Sequence, residues 1–210
     1  MKLKVSRFKS LAVGLKELER FIRDRQHLYT GRPFEGLGGM RSREAVANWL
    51  ICAVISFESG RPFCFTSDPD PQGDGIIYDS VRETAWPMEH TFVPRVGPEE
   101  TRDIDTLILD AVQAKESKGD AAYATGKTLI VFLDAGLGEW KPNVVARKLP
   151  AGNFKNVWVV GLHGTVSDEG EYTYGVTCLR TGLDPEIAGA PIWLVRIQKT
   201  FESWDVQRIQ

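Results

Sequence analysis

Four carboxylates in the middle of the chain are spaced in a way that could do chemistry. Asp68, Asp70 and Asp74 fall in one turn-forming stretch, Ser67-Asp-Pro-Asp-Pro-Gln-Gly-Asp-Gly75, and Glu89 lies in Met88-Glu-His-Thr-Phe92. Asp74 leads directly into the apolar run Ile76-Ile77-Tyr78. Acids that converge at the rim of a sheet repel one another unless one is protonated or a hard cation bridges them. Where phosphates are handled, that cation is usually Mg2+. The competing reading of Asp68, Asp70 and Asp74 is ordinary turn chemistry, in which Asp and Pro shape a loop. For Glu89 it is a structural ion pair with a lysine or arginine.

Strands must bring such acids together. Residues 76–81 and 86–93 read as strands joined by a short polar turn at 82–85, a hairpin. Glu89 and Thr91 then share one face of the second strand, and Met88, His90 and Phe92 share the other. If Val81 opposes Trp86, Tyr78 faces Glu89 and Asp74 projects to the same side. That register leaves Asp74 four residues from the position opposite Glu89, roughly 13 Å. An inward curl of the turn, or a bulge near Pro87, would be needed to join them.

Around this hairpin the hydrophobic period alternates between helical and extended. Leu11, Leu15, Leu18, Phe21, Ile22 and Leu28 predict an amphipathic helix over 8–29, followed by a Gly/Pro loop at 30–39. Ser42 caps a second helix with Glu44 in its first turn, an apolar face through Val46, Leu50, Ala53, Val54 and Phe57, and Gly60 at its end. A strand at 62–66 precedes the hairpin, and a helix capped by Thr101 follows it to about residue 119. Residues 127–135 and 156–162 are continuous apolar runs, as in strands covered on both faces, with a short helix at 143–148 between them. Further strands are expected at 172–179 and 192–197. The expected fold is α/β, one domain with a mixed central β-sheet flanked by helices. Residues 1–40 form an N-terminal amphipathic helix and loop, and residues 41–210 form the core.

Asp74-Gly75-Ile76-Ile77 at the head of one strand and Glu89-His90-Thr91 on the next resemble the core of the PD-(D/E)XK, or restriction-endonuclease-like, superfamily. The following segment, from Ile104 and Leu107 through Lys115, Lys118 and Tyr123 to Thr128-Leu-Ile-Val-Phe-Leu133, resembles that family's helix and core strand. The likeness spans residues 44–163 and rests on a short motif and the order of elements. It implies a restriction-endonuclease-like core with an N-terminal helical extension, and Mg2+- or Mn2+-dependent hydrolysis of a DNA phosphodiester. It implies that Asp74, Glu89 and the His90 backbone carbonyl ligate the metal. Glu58, at the end of the second helix, matches an acid that many members place near it. The family's lysine position is Thr91 here, and a threonine cannot stabilise an anionic transition state as an ammonium does. Lys115, turned toward the sheet by its spacing from Ile104, Ile108 and Ala111, is the replacement, with Lys118 second. The competing reading of Lys115 is a snorkelling surface lysine. If neither lysine reaches the site, the chain is an inactive relative that binds nucleic acid or protein.

Other motifs lead elsewhere. Asp68-x-Asp70-x-Gln72-Gly73, with Asp79 in place of a Glu, is similar to an EF-hand loop, but Pro69, Pro71 and the flanking strands argue against it. Ala121-x-x-x-x-Gly126-Lys127-Thr128 lacks the first glycine of a P-loop and leads into a strand, where a P-loop leads into a helix. His27, His90 and His163 lie on different elements without metal spacing, and no Gly-x-Ser-x-Gly element supports acyl transfer.

Composition sets the outer limits. Charged residues make up 26% and hydrophobic ones 42% of 210 residues, which suits a globular domain and excludes a disordered chain or coiled coil. No apolar run approaches the roughly 18 residues that cross a bilayer. The basic N-terminus lacks a signal peptide's apolar stretch, so a secreted protein is not expected. Cys52, Cys64 and Cys178 are far apart in apolar segments and read as reduced thiols of a cytoplasmic protein. A net charge of −2 argues against a protein that coats nucleic acid by bulk charge. Residues 1–44, however, hold eleven Lys or Arg against five acids, a basic lobe beside an acidic remainder that could hold a phosphate backbone near a metal. The alternative is a solvated amphipathic helix. A homodimer or larger complex stays open.

Overall fold

The alternation of helical and extended periods produces one nine-stranded sheet in which each strand neighbours the next in chain order. The computed structural model describes residues 8–31, 33, 40–66, 74–95, 97, 99–118, 121–134, 138–166, 170–180 and 189–210. The strands are β1 (Phe8–Ser10), β2 (Phe63–Thr66), β3 (Gly75–Asp79), β4 (Thr84–Val93), β5 (Thr128–Leu133), β6 (Asn156–Val166), β7 (Glu171–Arg180), β8 (Ile192–Ile197) and β9 (Trp204–Arg208). The helices are α1 (Leu11–Arg23), α2 (Arg25–Thr30), α3 (Ser42–Ser59), α4 (Ile104–Glu116), α5 (Ala121–Ala124) and α6 (Pro142–Lys148). Strands β1 to β4 are antiparallel, β4, β5 and β6 are parallel, and β6 to β9 are antiparallel again. The parallel steps fall where helices α4 and α6 intervene, because a parallel pair needs a crossover connection.

Helices cover both faces in the centre. All six residues of β5 are buried. Ile130 and Phe132 join one core with α1 and α3, and Leu129, Val131 and Leu133 join another with α4 and α6. The continuous apolar run in the sequence is thus a strand sandwiched between helical layers. Helix α3 is buried along most of its length, from Ser42 to Val54, because it lies between α1 and the sheet. Gly60 ends it in the left-handed conformation, φ 64°.

The N-terminal segment departs from a single helix. Phe8–Ser10 pairs with β2, and the Phe8 ring stacks on Tyr78 at 4.5 Å. The helix breaks at Asp24, whose backbone is extended and whose Oδ1 accepts the Gln26 amide at 3.0 Å. An Asp that can bond a nearby backbone N–H favours such a break. Strand β9 was not expected: only Trp204 and Val206 are half-buried there, which leaves a weak alternation at the sheet's edge. Among the described residues, no helix is long and apolar enough to cross a membrane, and all three cysteines are free.

The hairpin that carries the acids has a different register from the one expected. Tyr78 pairs with Ala85 and Gly75 with Met88, a shift of four residues, and the turn falls at 80–83. The cause is Asp79. The Asp79 side chain is fully buried: its Oδ1 accepts the Val81 and Arg82 amides at 2.9 and 3.0 Å, and its Oδ2 meets Arg61 Nη1 at 2.7 Å. This closes the turn early, and Glu83 takes φ 52° to complete it. A four-residue shift preserves which face each side chain occupies, since the strand period is two. It moves Asp74 to the step beyond the Gly75–Met88 pair, beside Glu89, with no bulge required. Removing one member of a buried ion pair costs about 3–5 kcal/mol, and the partial exposure of Arg61 reduces this. Asp79→Ala is therefore expected to lower stability by about 2–3 kcal/mol in urea denaturation, and a loss below about 0.5 kcal/mol would remove Asp79 as the cause of the register.

Candidate functional site

The head of β3, the second half of β4, the start of α3 and the end of α4 enclose a cleft of about 340 Å3. Its described lining includes Arg41 and Glu44 from α3, Asp74, Glu89 and His90 from the strands, and Lys115 and Lys118 from α4 and its end.

Asp74 is fastened to β4 twice. Its amide donates to the Met88 carbonyl at 2.8 Å, and its Oδ2 accepts the His90 amide at 2.9 Å. Glu89 is 6% exposed and faces two lysines. Lys115 Nζ donates to its Oε1 at 2.7 Å, and Lys127 Nζ stands 3.6 Å from its Oε2. Lys127 leads into β5 and lies over the Tyr123 ring, 4.7 Å from its centroid. Burial raises the Glu89 pKa, but hydrogen bonds from Lys115 and Tyr123 and the two lysine charges outweigh it, so its carboxyl sits below the ordinary value. Burial, followed by the Glu89 charge, raises Asp74 above the ordinary value against the His90 amide and the Lys115 and Arg41 charges.

Two polar residues interrupt the apolar face of α3, and both serve this region. Glu44 accepts the Arg41 amide at 3.1 Å. Burial, and then the charge of Asp74, pushes its carboxyl up to about 7. Asn48 is fully buried, with Oδ1 3.0 Å from His90 Nε2 and Nδ2 3.5 Å from the Asp74 carbonyl. A buried amide without partners would cost about 1–3 kcal/mol, so these contacts account for its presence. It lies close enough that a Cβ at residue 75 would stand 2.3 Å from Asn48 Nδ2, and φ there is +147°, so only glycine fits. Burial drives the His90 imidazole down to about 3, so it is neutral.

The cleft's carboxylates are hard oxygen donors: Glu44 from α3, Asp74 from the residue before β3, and Glu89 from β4. Among the described residues, no three His, Cys, Asp or Glu side chains form a closed ligand cluster. Mg2+ does not need one, because it retains waters and is held by one or two carboxylates with substrate phosphates. Asp74 and Glu44 are both pushed toward protonation by burial and neighbouring negative charge, a strain that a cation relieves. Glu89 spends its oxygens on Lys115 and Lys127 here.

The expected residues divide clearly. Asp74, Glu89, His90, Lys115 and Lys118 meet at the cleft. Thr91 is two residues further along β4, paired with Val131, and is not among the described lining residues. Glu58 is at the far end of α3, about 21 Å along the axis from Glu44. Its oxygens bind Trp193 Nε1 at 2.7 Å and Arg208 Nη1 at 3.4 Å, so it serves packing between α3 and β8–β9. The acid that α3 contributes is Glu44, because the helix presents its start, and not its end, to the cleft. The signal was a Glu44/Asn48 pair at helical spacing in an otherwise apolar run. In the sequence Lys127 opens the strand run 127–135 and belongs to the incomplete P-loop match, and a lysine at the start of a fully buried strand is the one signal of its part here. Asp68, Asp70, Gln72 and Gly73 lie outside the described residues, as does the His27 side chain.

Comparison of the chain with protein-family models, curated proteins and solved structures finds no match.

Glu44 is 8% exposed and keeps its proton to about pH 7 when folded, against an ordinary 4.5, so the folded chain binds more protons than the unfolded one in between. Stability from this group is complete below pH 4.5 and is lost as pH rises through 7, about 2–3 kcal/mol in all. Glu44→Gln is expected to remove that slope and exceed wild type at pH 8 in urea denaturation. The same slope in both proteins would rule out Glu44 as its source.

Proposed function

We propose that this chain is a divalent-metal-dependent phosphodiester hydrolase acting on DNA, a nuclease resembling the PD-(D/E)XK superfamily. The observation that carries the reading is the cleft shared by Asp74 and Glu89, with Lys115 2.7 Å from Glu89. The order of elements also supports it. Helix α3, the antiparallel β2–β3–β4, helix α4 and the parallel β5 come in the order that the resemblance to a restriction-endonuclease-like core leads one to expect.

Asp74, Glu89 and the His90 carbonyl would hold Mg2+ or Mn2+, with Glu44 as a third carboxylate in the same cleft. The bound ion would supply an acidified water and offset negative charge on the phosphate. Lys115 supplies the ammonium that Thr91 lacks, from α4 and not from β4, and so offsets charge as water adds to phosphorus and the P–O bond breaks. Lys127, buried beneath Tyr123, holds the far side of Glu89. Arg41 and Lys118 flank the acids and favour a polyanionic strand over a neutral ligand.

A second reading keeps the cleft but not the turnover. Both Glu89 oxygens already face lysines, and Thr91 stands where an amine is expected, as in an inactive relative that binds nucleic acid or protein. DNA cleavage with Mg2+ or Mn2+ separates the two. Turnover is expected in wild type and should fall by about 100-fold or more in Asp74→Ala, Glu89→Ala and Lys115→Ala. DNA binding without cleavage in wild type selects the second reading, and equal cleavage in all four proteins removes the mechanism.

A further inference from the structure

Two polar contacts join α3 to the strands that carry the acids, and a third joins those strands to each other. Asn48 Oδ1 meets His90 Nε2, Asn48 Nδ2 reaches the Asp74 carbonyl, and the His90 amide donates to Asp74 Oδ2. The first two contacts dictate each other's chemistry. The Asp74 carbonyl can only accept, so the Asn48 nitrogen must face it. The Asn48 oxygen must then face His90, which requires the proton of the neutral ring to be on Nε2. Nδ1 is left as the bare nitrogen, buried and without a hydrogen-bond partner among the described residues. The opposite orientation of the amide would set two oxygens against each other.

We infer that Asn48 is a positioning residue, whose amide locks the His90 ring on β4 to the Asp74 peptide at the head of β3. It thereby sets where the Asp74 carboxylate and the His90 carbonyl stand. The absence of a side chain at Gly75 permits this approach. The contact is made from a helix buried between α1 and the sheet, so the lock rests on a rigid element. Metal-site ligands commonly depend on such outer partners for their orientation. The part of the inference that concerns metal affinity rests on the reading of the cleft as a metal site.

The test uses the full chain and Mn2+ alone. Calorimetric titration of wild type, Asn48→Leu, Asp74→Ala and Glu89→Ala is combined with nitrogen NMR of the His90 ring and a thermal melt of each metal-free protein. Wild-type His90 is expected to carry its proton on Nε2. Asn48→Leu, similar in size, is expected to stay folded, show mixed ring tautomers and bind Mn2+ roughly 10- to 100-fold more weakly. Equal Mn2+ affinity in wild type and a folded Asn48→Leu overturns the inference. So does a wild-type ring protonated on Nδ1, a measurement that needs no variant. Mn2+ binding that is absent in wild type, or unchanged in both Asp74→Ala and Glu89→Ala, overturns the metal reading instead. The ring tautomer then still decides the lock between Asn48 and His90.

Discussion

The pairing of β3 with β4 is the constraint on which the candidate site depends. Asp74 is tied to β4 through its own amide and through its carboxylate, so the strand head and the acid are placed by the same backbone. Moving the pairing by one residue would turn Glu89 to the opposite face of the sheet. The turn at Asp79 excludes such a slip, because its carboxylate is consumed by two turn amides and Arg61. A buried charge far from the cleft thus determines what meets inside it.

Charge balance follows from that placement. Glu44 from α3, Asp74 from the residue before β3 and Glu89 from β4 crowd one cleft, with Arg41 3.7 Å from Glu44 and the two lysines against Glu89. Lys115 and Lys127 satisfy Glu89 and lower its proton affinity, whereas Glu44 and Asp74 are left with theirs raised. The lowered Glu89 follows from its lysine pairs, and the raised Glu44 and Asp74 follow from burial beside like charge. The layered architecture makes this possible. With α3 on one face and α4 on the other, the cleft receives side chains from both sides of the sheet.

Helix α3 does two jobs at once. Most of its surface is apolar and packs into the core with α1 and the sheet, which makes it a poor place for polar groups. Glu44 and Asn48 are tolerated because each has partners: the Arg41 amide for the first, His90 and the Asp74 carbonyl for the second. The same buried helix carries Glu58 at its other end, where the carboxylate binds the indole of Trp193. Two acids on one helix therefore have unrelated environments, decided by which end meets the cleft.

By itself, the sequence determined most of the elements and their order, because hydrophobic period and turn residues act locally. The buried strand at Thr128–Leu133, the helix ended by Gly60 and the pair of acids on a hairpin were all legible from their residues. The face shared by Asp74 and Glu89 was legible too, since strand parity survives a four-residue error in register. Only the tertiary structure decided that register, the choice of Glu44 over Glu58, the part of Lys127 and the lock between Asn48 and His90. Each of these depends on partners distant in the chain, Arg61 with Asp79 and Asn48 with His90 among them. Local periodicity carries no record of which distant charge or amide will come to lie against it.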